Sequence, residues 1–132
     1  MTARSTIVRT GIGAAAAGAA LIALAGPADA ASFSRNVYQG TVTYTDSSDK
    51  LCVRADETGI RDRAVIQVTL TPYDSSRGPV VHVSDTDTAG AHCGSLATAY
   101  EDTHYRAVIK STVSFDRDGN STYETTTVSF YS

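Results

Sequence analysis

Beyond its first thirty residues the chain has no long apolar run, no surplus of positive charge and only two cysteines, Cys52 and Cys93. Each shortage removes a class of protein. Residues 31–132 carry nine Lys and Arg against thirteen Asp and Glu, a formal charge of −4, which argues against nucleic acid or an anionic membrane surface as partner. Leu, Ile, Val and Phe supply only 20 of those 102 residues, close to the composition of disordered chains, although seven Tyr and the small net charge draw it back toward folding. Two cysteines allow one disulfide connectivity and no paired C-x-x-C metal site. There is no H-E-x-x-H, no G-x-S-x-G, no cofactor motif, no internal repeat and no linker, so no cofactor is expected.

What is present begins with a leader. Arg4 and Arg9 precede an uncharged stretch from Gly11 to Ala25, followed by Gly26, Pro27 and the small-residue pattern Ala28-Asp29-Ala30. These are the three regions of a secretory signal peptide over residues 1–30, with the mature chain starting at Ala31. The apolar stretch is half alanine and shorter than the roughly twenty apolar residues of a spanning helix, so no membrane insertion is expected after cleavage. The expected destination is the extracellular medium, and the Ala-rich leader points to a bacterial source. Residues 31–132 are expected to form a single β domain.

Thr and Ser make up 28 of the 102 residues and alternate with Val, Ile and Tyr instead of recurring at three and four, which is the period of strands. The alternation predicts strands over Asn36 to Thr45 (Tyr38, Val42 and Tyr44 on one side), Lys50 to Ala55, Ala64 to Thr71 and Val80 to Ser84. It also predicts a long C-terminal hairpin of Thr103 to Phe115 and Ser121 to Tyr131. Pro72 should stop its strand or place it at an edge. Asp85 to Gly94 reads as a loop, and Ser95 to Tyr100 as either a helical turn or a seventh strand. In the last hairpin one register pairs Val113 with Tyr123 and another pairs Ile109 with Val128; the pattern leaves the choice open. Six or seven short strands in about 100 residues predict an all-β fold, a small antiparallel β-sandwich with one disulfide, with a small β-barrel as alternative.

In an exported chain Cys52 and Cys93 are expected to be bridged, which makes a catalytic thiol beside His92 the weaker reading. His82, His92 and His104 stand ten and twelve residues apart, a spacing that matches no metal signature. Asp116, Asp118 and Asn120, or Asp85 and Asp87, alternate as calcium ligands would, but the EF-hand pattern fails and a hairpin turn needs the same residues, so no metal is expected. Asn120-Ser121-Thr122 matches the glycosylation acceptor pattern weakly. With no catalytic constellation, the expectation is a secreted, non-enzymatic binding module, its binding loops carrying Arg77 or His92. Its partner would be an extracellular protein or a cell-surface ligand. The alternatives are an inhibitor of an extracellular hydrolase and a small secreted hydrolase.

Overall fold

The structure, a computed structural model, describes residues 31–59, 62–86, 89–115 and 119–132. Eight strands follow one another: β1 (Phe33–Val37), β2 (Gly40–Thr45), β3 (Lys50–Ala55), β4 (Asp62–Pro72), β5 (Val81–Thr86), β6 (His92–Ser95), β7 (His104–Phe115) and β8 (Asn120–Tyr131). They form two four-stranded antiparallel sheets, β1-β2-β3-β6 and β5-β4-β7-β8, which do not close into a barrel. The expected sandwich is observed, with two strands more than the period-two pattern marked. The leader at 1–30, and Asp87, Asp116 and Asp118 of the candidate calcium loops, lie outside the described residues. Among the described residues no helix is long and apolar enough to cross a membrane.

Both extra strands have physical reasons. The segment Asn36 to Thr45 is a hairpin, not one strand: Gln39 takes a left-handed φ of 59° and Val37 pairs with Gly40. Tyr38 therefore sits exposed in the turn, while Val42 and Tyr44 face the core as expected. The polar stretch expected as a loop contains β6, whose Cys93 stands directly opposite Cys52 of β3 and is bonded to it. Residues beyond Ser95 form turns, with Ala99 N–H donating to Leu96 O at 2.8 Å. Val83 and Asp85 of β5 face inward, so that strand runs to Thr86 instead of ending at Ser84. Pro72 ends β4, which is an inner strand, and the ladder is taken up by Tyr73 N–H to His104 O at 2.9 Å.

The C-terminal hairpin adopts neither candidate register. Ala107 pairs with Val128, Tyr105 with Phe130 and Val113 with Thr122, and the pairing runs without a bulge from His104↔Tyr131 to Phe115↔Asn120. Gly119 has the left-handed φ of 63° that the turn requires.

The core lies between the sheets, where Val42, Leu51, Val53, Ile66, Leu70 and Ile109 are fully buried. At one end Phe130 gathers the aromatic rings, with centroids 4.6 Å from Tyr44, 5.1 Å from Phe33 and 5.9 Å from Tyr105. Burial pushes the phenols of Tyr44 and Tyr105 above the ordinary value of 10.0, with Asp46 adding to the effect at Tyr44. This carries a pH dependence. Below pH 10 both states hold these protons; above it the unfolded chain releases them and the folded chain does not, so stability falls as pH rises. The slope is at most about 1.4 kcal/mol per pH unit for each of the two tyrosines. Urea denaturation at a series of pH values should show the midpoint dropping above pH 10, and Tyr44→Phe should make that drop shallower.

Candidate functional site

At one end of the sandwich the β4–β5 connection, residues 73–80, is laced to the β6–β7 connection, residues 96–103. The first is shaped by Asp74. Its Oδ1 accepts the Ser76 hydroxyl at 2.6 Å and the Ser76 N–H at 2.9 Å, and Arg77 N–H donates to Asp74 O at 3.0 Å. Those bonds, the hydroxyl's foremost, hold the Asp74 carboxyl below its usual range. The Arg77 carbonyl then accepts Tyr100 N–H at 2.9 Å, and the buried Thr103 hydroxyl, 3.1 Å from that carbonyl, lies still closer to the Tyr100 carbonyl as acceptor for its one proton. Gly78 lies against the Tyr105 phenol, which donates to Pro79 O at 3.2 Å; a Cβ at Gly78 would fall 2.1 Å from the phenol oxygen of Tyr105. The loop is thus fixed from below by groups of the core.

On this rigid base the Arg77 guanidinium donates to Glu101 O at 2.8 Å and rests 5.9 Å from the Tyr100 ring centroid. Tyr100 is 62% exposed. Together with Ser75, Ser76, Gly78, Pro79 and Thr98 they border an open recess of about 290 Å³, just below the size range of small-molecule pockets, which suits one protruding side chain or sugar better than a buried ligand. Arg77 was legible in the sequence as a loop residue. Tyr100 and Thr103 were not, since nothing in the sequence ties residue 100 to residue 77.

His92, the second expected binding residue, stands elsewhere, at the edge where β6 faces β5. Its Nδ1 is 2.7 Å from Asp85 Oδ1, and the imidazole is 67% exposed while the Asp85 side chain is fully buried. The other carboxylate oxygen accepts Ala55 N–H at 2.7 Å. Ala55 lies two residues beyond Val53, whose pair with His92 is the last of the β3–β6 ladder, so Asp85 takes over an amide there. A buried carboxylate with both oxygens occupied joins the two sheets and orients a solvent-facing imidazole. No hydroxyl among the described residues bonds to that ring.

The remaining histidines lie on the outer face of the second sheet. His82 Nδ1 is 3.2 Å from Thr69 Oγ1, and His104 is stacked between Tyr73 and Tyr131 at centroid distances of 4.2 and 4.5 Å. The three histidines are not brought together, and no group of three metal-ligating side chains occurs among the described residues.

Fold and site together define a small disulfide-closed β-sandwich with a rigid, laced loop end. Comparison with family models, with curated proteins and with solved structures gives no match, so its function is read from its own geometry.

Proposed function

We propose that this is a secreted, non-enzymatic binding module which holds an extracellular protein or a cell-surface ligand through the Arg77–Tyr100 surface. The single observation that carries the reading is the lacing of two loops through the Arg77 carbonyl, which leaves the guanidinium and the Tyr100 ring at the surface with little order left to gain. Preordered Arg and Tyr side chains lose little entropy on binding and are the residue types enriched at binding hot spots. The leader-like N-terminus and the Cys52–Cys93 bridge accord with export to an oxidising compartment, and the Ala-rich leader with a bacterial source. Inhibition of an extracellular hydrolase by insertion of Arg77 is the weaker version of this reading. Insertion would require breaking the bond to Glu101 O, and the Asp74 to Arg77 turn is not an extended bait segment.

The test is capture from the culture medium of the producing organism on immobilised wild-type protein, beside Arg77→Ala and Tyr100→Ser. A partner held by the wild type should bind Arg77→Ala at least tenfold more weakly, the loss expected for a hot-spot residue, while the melting temperature changes little. Equal retention by both variants would overturn the assignment. So would a hydrolytic activity of the purified protein that disappears in His92→Ala.

A further inference from the structure

The β8 strand is an edge strand twelve residues long. Natural edges are blunted by charge, proline, bulges or brevity, because a free row of backbone donors and acceptors is a template for another strand. Here β8 has no proline, no lysine or arginine, no bulge and a single charge at Glu124. The other outer strands differ: β1 has five residues including Arg35, and β5 and β6, of six and four residues, lie against each other across the sandwich.

The direction of its free groups follows from two bonds. Ser132 N–H donates to Thr103 O, and Tyr73 N–H to His104 O. In an antiparallel ladder such pairs alternate, so the even-numbered residues of β8 spend their amides and carbonyls on β7. The odd-numbered ones, Ser121, Tyr123, Thr125, Thr127, Ser129 and Tyr131, direct theirs to the open edge. Their side chains line the outer face of the sheet, beside the stack of Tyr73, His104 and Tyr131.

We propose that β8 pairs with β8 of a second copy of this chain, antiparallel about a two-fold axis at Thr127, joining two four-stranded sheets into one of eight. The sequence is self-complementary in that register. Thr127 faces its own copy, Thr125 faces Ser129, and Tyr123 faces Tyr131. Glu124 meets Phe130 and not another Glu124, so no like charges oppose. Tyr123, 77% exposed in the single chain, then continues the aromatic stack on the free side of Tyr131. The geometry already has a precedent in Tyr73 and His104, a hydrogen-bonded antiparallel pair whose rings are 4.2 Å apart.

The experiment is sedimentation of the full chain, disulfide intact, over a range of concentrations into the tens of micromolar. Wild type should reach twice the chain mass. Thr127→Pro removes an amide that points away from β7, so it should halve the mass while circular dichroism keeps the β signature. Tyr123→Lys should weaken the dimer at least tenfold without touching the backbone. Under mild oxidation Thr127→Cys should form a covalent dimer, since facing Cα atoms about 5.5 Å apart suit a disulfide. Ser121→Cys, which stands far from Ser121 of the other copy in this register, should not. A wild type that stays monomeric would overturn the proposal and leave the edge to an extended peptide of another protein. A dimer that survives both Thr127→Pro and Tyr123→Lys, or that crosslinks through Ser121→Cys and not Thr127→Cys, would overturn it equally.

Discussion

Reduction of the Cys52–Cys93 bridge should cost about 4 kcal/mol, the chain-entropy value for a loop closed over a sequence separation of 41. For a domain of this size that corresponds to a fall in melting temperature of roughly 20 °C or more. The effect is expected to be large because little else holds β6. It pairs with β3 over only four residues, and Leu96 just beyond it is its nearest fully buried anchor. Thermal melts with and without reductant decide the matter, with the Cys52→Ala, Cys93→Ala double variant checking that the reductant acts nowhere else. An unchanged midpoint would mean that backbone pairing and Leu96 suffice.

Gly40→Val should also be strongly damaging, by about 3 kcal/mol or more, the upper end of what overpacking costs. A Cβ there would lie 2.2 Å from Arg54 O and 2.2 Å from the Ile66 side chain. The side chain can be trimmed, but the carbonyl belongs to the neighbouring strand and cannot. Gly40→Ala should therefore remain strongly destabilised even when combined with Ile66→Ala. Gly94 offers the contrast: its Cβ would meet Val83 Cγ2 at 2.6 Å and Val81 Cγ1 at 3.2 Å, side-chain atoms only. Urea denaturation of Gly94→Ala with and without Val83→Ala should show the rescue that Gly40→Ala lacks.

That contrast marks where the sequence was readable. Strands with a one-sided pattern were plain: Ile66, Val68 and Leu70 alternate with Gln67 and Thr69, and the observed β4 buries those three. The disulfide was equally plain, because two cysteines leave no choice. What failed was structure made by backbone pairing alone. The β6 residues His92, Cys93, Gly94 and Ser95 have no apolar alternation, yet they form a strand because β3 offers an edge and Gly94 lets β5 close over them. The first hairpin failed for a related reason. Alternation continues through Tyr38 in register with Val42 and Tyr44, and only the positive φ of Gln39, which glutamine does not advertise, breaks it. The terminal register eluded the pattern because the Thr125-Thr126-Thr127 run is alike on both faces.

The candidate site was legible to a smaller extent. Arg77 belongs to a turn that its neighbours Asp74, Ser76, Gly78 and Pro79 announce. Its dependence on Thr103 and Tyr100, and the placement of Asp85 between Ala55 and His92, join residues far apart in the chain and leave no local trace. Asp85 in particular reads as a loop carboxylate and proves to be buried.

The strand order has a kinetic meaning as well. The chain lays down β1, β2 and β3, leaves to build β4 and β5 in the opposite sheet, comes back for the four residues of β6, and leaves again for β7 and β8. Neither sheet can be finished as a local unit. A nascent chain that ends before Ser95 carries β3 with one edge open, and β7 must cross from one sheet to the other before β4 gains its second neighbour. Such interleaving places this small domain among slow folders, on the order of milliseconds to seconds, despite its length. Pairing Cys52 with Cys93 requires the chain to close over β4 and β5, so the bridge ties together a long-range contact and not a local one.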